Sequence, residues 1–347
     1  MKKRRFIIGI LKGIIFSLFL LAGLRLAVLL LYTPNDIIRT WHRFYTLEEG
    51  EAQILVVGSR HAYASFDPDV ISRMTGMSSY ILASNSQNMV QAYFNVKEAL
   101  HYQHPEAIIL EAFSLDDNNN WRYGDNFDRD WKKEANIDGM RFGLTKLEAV
   151  AEQYIQSNWA YALLPISRCH DNWEDVAAFN SNVGFYTGGI REYSSFHPSE
   201  TSMSAETARL YEQADYNPAE LVVSETNVLH FHKLARLCSE RGIPLYIVMA
   251  PMYEGYICSV NYSSWTDRIA ELAESEEVLF VDCNLHYDEI GLIAQDCLFD
   301  SDLYCDNMGQ RPVSLRAEAA IRKRAGESRK MVPDRMYRGE PGDSVFL

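Results

Sequence analysis

Five short apolar runs limit what this chain can become: "QILVVG" (53–58), "SYILA" (79–83), "EAIILEA" (106–112), "PLYIVMA" (244–250) and "VLFVDC" (278–283). Their Ile, Val and Leu residues are continuous rather than alternating, which predicts strands covered on both faces. Helical patterns separate them. "DPDVISRMTG" offers Asp67 as an N-cap with Pro68 in the first helical position. "MVQAYFNVKEALHYQ" follows the second run, "VLHFHKLARLCSERG" closes on Gly242, and "WTDRIAELAESEE" precedes the fifth run. Strand and helix alternating in this way predict an α/β fold built on a doubly wound parallel sheet.

The N-terminus is of another kind. "MKKRRFIIGILKGIIFSLFLLAGLRLAVLLLY" sets four bases ahead of an apolar stretch, and the 20 residues from Gly13 to Tyr32 are long enough to cross the hydrocarbon of a bilayer. Arg25 falls inside that stretch, where a central arginine costs at least ~2.5 kcal/mol, but its long side chain can snorkel toward the nearer interface. A cleaved signal peptide is the competing reading, and "LLLYTPND" offers no small-x-small cleavage site. Residues 1–33 therefore read as a basic cytoplasmic start and a single membrane anchor, and the positive-inside rule puts the chain beyond residue 33 outside the cytoplasm.

Charge narrows the partners. Residues 1–32 carry six bases and no acid, which leaves the remainder near −20 against −14 for the whole chain. A nucleic-acid-binding face needs the opposite balance, so no nucleic acid is expected. The six cysteines form no CxxC pair and no Cys/His cluster at zinc spacing, and read as scattered thiols. Neither a metal nor a cofactor is expected.

The main domain reads as residues 34–309, interrupted at about 114–223 by a stretch rich in Asn, Asp, Trp and Tyr that holds helical pieces such as "TKLEAVAEQYIQ". Residues 310–347 carry nine bases to five acids and almost no apolar periodicity after Ile321, where an α/β domain normally adds a last amphipathic helix. This tail is either a solvated, disordered basic segment or the product of a reading-frame shift near Met308.

Parallel sheets bind ligands where strand carboxyl ends meet loops. Gly58, Ser59, Arg60 and His61 follow the first run, Ser84 to Asn88 the second, and Phe113 to Asn120 the third; Met249 to Pro251 follow the fourth, and Asp282 and Asn284 mark the fifth. Hydroxyls, amides and acids converging in this way suit acyl chemistry, which needs an attacking hydroxyl, donors for an oxyanion and an acid that orients a base.

The blocks "ILVVGSRHAYASFDP", "SYILASNSQNMVQAYFNVKEALHYQHPEAIILE", "LPISRCHDNWEDV", "LARLCSERGIPLYIVMAP" and "FVDCNLHYDEIGL" resemble the membrane-anchored SGNH/GDSL-hydrolase-like proteins of Gram-positive anaerobes. Those are relatives of the D-alanyl transfer protein of teichoic acid synthesis and of alginate O-acetyltransferases. The resemblance spans roughly residues 36–309 and implies a flavodoxin-like three-layer sheet and, for active members, a serine site that makes or cleaves esters of a cell-envelope glycan. Its implied partners are that glycan or an acyl donor, and a membrane acyltransferase. The family's first block reads Gly-Ser-Ser-His with the second serine as nucleophile. Gly58, Ser59 and His61 match, and Arg60 stands in the nucleophile's position. The family ends on a pattern like Asp-x-x-His-Leu-Asn-x-x-Gly. Here Asp302 and Asp306 are the acid candidates, and no histidine follows His286. Asn85 and Asn88 are candidate oxyanion donors beside Gly58, with an Asx cap as the other reading. His170 and Trp173 match a recurrent family segment, either as a packed structural pair or as a glycan contact. The expectation is an impaired or inactive esterase or acyltransferase, with a membrane-tethered, non-catalytic glycan-binding or assembly protein as the alternative.

Overall fold

The structure, a computed structural model, describes residues 2–33, 35–85, 87–116, 137–154, 159–186 and 220–286, together with residues 195–196, 209, 298–299 and 305–306. In chain order, α1 (Lys2–Leu31) and α2 (Asp36–Phe44) precede β1 (Ile54–Gly58). The helices α3 (Arg60–Ser65) and α4 (Pro68–Thr75) lead to β2 (Ser79–Ala83), and α5 (Met89–Ala99) leads to β3 (Ala107–Glu111). The long connection after β3 holds α6 (Leu144–Gln153), α7 (Trp159–Leu163), α8 (Ile166–Cys169), a 3-10 turn (His170–Glu174) and α9 (Val176–Gly184). Then come α10 (Glu225–Glu240), β4 (Leu245–Met249), α11 (Glu254–Ser259), α12 (Tyr262–Ser275) and β5 (Leu279–Asp282). A two-residue antiparallel pair, β6 (Leu298–Phe299) with β7 (Cys305–Asp306), stands apart from the main sheet.

All five main strands pair in parallel, in the order β2-β1-β3-β4-β5, and each expected run forms its strand. The direction of crossover reverses once. The step from β1 to β2 runs one way, and the steps to β3, β4 and β5 run the other. Parallel crossovers are right-handed, so the two directions must use opposite faces of the sheet. The packing agrees. Leu55, Val57, Leu82, Ile108, Leu110 and Ile247 point into a core shared with α2, α5, α10 and α12. Their neighbours Ile54, Val56, Ile81, Ile109 and Val248 point into a second core closed by Ala62 of α3, Phe66 and Ile71 of α4. The result is three layers, with both faces apolar as the unbroken runs predict.

Local signals explain several helices. Asp67 caps α4 by accepting from Asp69 N and Val70 N, with Pro68 at its start. Asn35 caps α2 by accepting from Ile38 N at 3.0 Å, and Ile37, Ile38, Trp41 and Phe44 form its buried face. Gly139 passes so close that a Cβ there would collide with the Trp41 ring and lie 3.0 Å from the Ile37 carbonyl. This contact seals residues 137–140 against α2.

The residue 114–223 connection, as far as it is described, packs in two places. Helix α6 lies on α5, while α8, the 3-10 turn and α9 lie on α1. A buried Arg168–Asp138 ion pair at 2.6 Å joins these parts. Burial pushes the Asp138 carboxyl up, against the opposing charges of Arg168 and Lys146. Burial also pulls Lys146 down to about 8, with Asp138 opposing, and its ammonium donates to the Met140 carbonyl at 3.1 Å. Helix α1 is long and apolar enough to cross a membrane. The basic tail of residues 310–347 lies outside the described residues.

Candidate functional site

The sheet changes crossover direction between β1 and β3, which is where doubly wound folds open a crevice for ligands. In the β1/β3 register Val57 sits opposite Leu110, so the next residues, Gly58 and Glu111, lie side by side. Gly58 has φ +154°, and a Cβ on it would stand 2.6 Å from Glu111 Cβ and 3.1 Å from Ala62 Cβ. Only glycine meets both demands, because the space a side chain would take is filled by Glu111.

Ser59 turns the chain from strand into helix. Its backbone is extended, and its Oγ caps α3 by accepting from His61 N at 3.3 Å. The same hydroxyl donates to Glu111 Oε2 at 2.8 Å, and the residue is only 4% exposed. Glu111 is fully buried. Its other oxygen accepts from Phe113 N at 2.9 Å and stands 3.7 Å from His61 Nδ1, an ion-pair distance when the ring is protonated. The His61 ring packs edge-on against Phe113 at 4.3 Å. Carboxylate, hydroxyl, imidazole and backbone N–H thus form one buried knot under the turn, and Arg60, half-buried, begins the helix beside it.

The loop after β2 completes one wall. Ser84 N donates to the Gly58 carbonyl at 3.2 Å, tying the two strand ends together. Asn88 is the N-cap of α5 in a reciprocal capping box: its Oδ1 accepts from Gln91 N at 2.9 Å, and its own N–H donates to Gln91 Oε1 at 3.1 Å. Gln87 is fully buried, with Oε1 accepting from Asn95 Nδ2 at 2.8 Å and Nε2 without a hydrogen-bond partner among the described residues. Asn85 is half-buried in the turn, and Ser86 lies outside the described residues.

A second knot joins the ends of β4 and β5. Tyr262 Oη donates to Asp282 Oδ1 at 2.7 Å, and Asn284 N donates to the same oxygen at 2.9 Å. Asn284 also bridges the loops, donating from Nδ2 to the Ala250 carbonyl at 3.1 Å and accepting from Met252 N at 2.7 Å.

Of the residues singled out from sequence, Gly58, Ser59, Arg60 and His61 share the end of β1, and Asn85 and Asn88 share the adjoining loop. His170 and Trp173 are exposed and belong to the 3-10 turn packed on α1. Asp302 lies outside the described residues; Asp306 lies in β7, whose backbone runs beside α3. Glu111 was not anticipated. Its one signal is a charge at the carboxyl end of a buried apolar run, which sequence reads as the end of a strand. Among the described residues no group of three or more His, Cys, Asp or Glu is set to hold a metal ion.

Chemically, the turn offers a serine hydroxyl already donating to a carboxylate. The distance suits direct proton acceptance by Glu111. Access does not suit it, because both groups lie beneath the helix start. No protein-family model matches the chain, and no curated protein matches it either.

Proposed function

We propose that the chain is a membrane-tethered, extracytoplasmic SGNH-like domain, related to ester hydrolases and O-acyltransferases of cell-envelope glycans, whose own site is inactive and retains binding. One observation carries this reading: the Ser59 hydroxyl is 4% exposed and held by Glu111 at 2.8 Å. Acyl transfer needs a hydroxyl that substrate can reach and a base that takes its proton. Ser59 instead caps a helix and braces a buried acid. In the resemblance to SGNH/GDSL proteins the nucleophile's place falls to Arg60, the first residue of α3. A guanidinium there supplies fixed positive charge and a fork of donors suited to carboxylate or phosphate.

The ligand supported is therefore an anionic group on an envelope glycan or on an acyl donor. Assembly with a membrane acyltransferase is consistent with such a non-catalytic role. The strand order, with its change of direction at β1/β3, and the Gly-Ser-Arg-His turn at that point support the descent. The bases at the start of α1 support the orientation, by the positive-inside rule.

The full chain in detergent, treated with a fluorophosphonate probe and with an aryl acetate, is expected to give neither serine labelling nor turnover above background. Labelling and turnover that both disappear in Ser59→Ala would overturn the inactive site. Binding of an anionic envelope glycan is expected to survive Ser59→Ala and to be lost in Arg60→Ala; loss in Ser59→Ala with retention in Arg60→Ala would overturn Arg60 as the anion contact.

A further inference from the structure

The upper end of α1 is held by the domain. Residues 3–26 of the helix are exposed, whereas Ala27–Leu31 are half-buried against α8, the 3-10 turn and α9. The last carbonyls of a helix have no partner within it. Here Asn182 Nδ2 donates to the Leu30 carbonyl and Asn172 Nδ2 to the Leu31 carbonyl, both at 3.0 Å. Six residues below Leu31, the charge of Arg25 acts on His42, Tyr186 and Lys146. The docked stretch, Ala27–Leu31, begins two residues beyond Arg25.

Length agrees with that boundary. Phe6 to Leu24 is 19 residues, which at about 1.5 Å each come to about 28 Å, close to the roughly 30 Å of hydrocarbon. The stretch is bracketed by Arg4 and Arg5 below and Arg25 above, and its one internal base, Lys12, lies seven residues from Arg5, where its long side chain can snorkel to that interface. The span read from sequence, Gly13–Tyr32, is thus displaced toward the N-terminus, and Arg25 leaves the apolar layer.

Helix α9 packs on the upper end of α1, with Asn182 meeting Leu30. Beside this end the segment leaves apolar side chains uncovered. Phe179 and Val183, one turn apart on α9, are 39% and 38% exposed, and Trp173 on the adjoining 3-10 turn is 68% exposed. Aromatic and aliphatic side chains beside the end of a spanning helix favour the headgroup boundary, where an amphipathic body meets both phases.

We propose that the helical segment 166–186 is a membrane-interface foot: the bilayer boundary on the domain's side covers Trp173, Phe179 and Val183, and α1 spans hydrocarbon only from Phe6 to Leu24. The occupant is a lipid surface, because the patch is continuous with the helix that enters it. The foot fixes the height and tilt of the sheet above the membrane.

The test uses the full chain reconstituted in phosphatidylcholine/phosphatidylglycerol vesicles, with acyl chains brominated near the headgroup to quench tryptophan. Trp173→Phe is expected to lose most of the bromine-dependent quenching, and Phe179→Trp in that background to restore it. Both positions are exposed, so neither change disturbs packing. Quenching that is unchanged in Trp173→Phe and not raised by Phe179→Trp would overturn the proposal. So would shielding of Trp173 by envelope glycan fragments in detergent together with an absence of lipid quenching, which would assign the patch to glycan.

Discussion

Glu111 is a fully buried acid whose partners are a hydroxyl, a backbone N–H and, at 3.7 Å, an imidazole. A buried charge is tolerated only when such partners are in place, so the knot at the end of β1 is as much a stability feature as a site. Removing the carboxylate in Glu111→Ala strands the Ser59 hydroxyl and Phe113 N–H, at about 1–3 kcal/mol for each buried group left unpaired. Glu111→Gln keeps an acceptor and is expected to cost less. Ser59→Ala loses a helix cap, about 1 kcal/mol, and leaves one carboxylate oxygen unpaired as well. Chemical unfolding of the detergent-solubilised chain measures all three, and the order expected for loss of stability is Glu111→Ala above Glu111→Gln. Midpoints equal to wild type in both Ser59→Ala and Glu111→Gln would show that the buried hydrogen bond contributes nothing. Gly58, Ser59 and His61 were legible in sequence because a glycine and small polar residues interrupt an apolar run. Glu111 was not, because only the parallel register brings residue 111 beside residue 58.

Helices and strands were legible where their signals are local. The five strands lie inside their apolar runs, and Asp67-Pro68 starts α4 where the cap predicts. Asn88, read from sequence as an oxyanion donor or an Asx cap, is the N-cap of α5, so Asn88→Ala is expected to cost about 1 kcal/mol of stability and to leave the anion binding proposed at Arg60 unchanged. Unfolding midpoint and binding affinity, read on the same preparation, separate the two roles; a loss of binding at unchanged stability would restore Asn88 as a ligand contact. Helix α2 was overlooked beside the stronger signal of the membrane stretch, although Asn35 and the spacing of Ile37, Ile38, Trp41 and Phe44 announce it. The docking of the insertion on α1 has no local signal, since it depends on Asn172, Asn182 and the Arg168–Asp138 pair meeting across long separations. Helix α6, which packs on α5, carries a pH signature. Lys146 titrates at about 8 in the fold against 10.5 in the open chain. Below 8 both states hold the proton and the burial penalty is full; between 8 and 10.5 the unfolded chain binds more protons, so stability rises with pH. The difference in unfolding free energy between wild type and Lys146→Met should therefore move in favour of wild type as pH climbs from 8 toward 10.5. At about 1.4 kcal/mol per pKa unit the change is at most a few kcal/mol. A flat difference would place the ammonium in water.

Across the chain as a whole, the two sheet cores and the insertion are held by different forces, and the cysteines report on each. Cys238 belongs to the core under α10, Cys283 to the core on the opposite face and Cys169 to the insertion on α1, while Cys258 is exposed. All four are free thiols. Burial pushes Cys238 and Cys283 up to about 12 and raises Cys169 as well, so near neutral pH these three combine low accessibility with low thiolate content. Of these four, Cys258 is therefore expected to react first with iodoacetamide in the native chain, as read by peptide mass mapping. Under rising denaturant the five parallel strands couple the two cores, because β4 and β5 contribute side chains to both faces. Cys238 and Cys283 should become reactive at one shared midpoint. The described part of the insertion has no strand in that sheet; its α6 joins the first core through Ala149 and Val150, whereas α8, the 3-10 turn and α9 rest on the Arg168–Asp138 pair, two asparagine hydrogen bonds and packing on α1. Local opening at lower free energy than global unfolding is expected of such an appendage, so Cys169 should be labelled at lower denaturant than the sheet thiols. Simultaneous release of all three would make the insertion an integral part of the cooperative core, and prior release of Cys283 alone would split the two faces of the sheet.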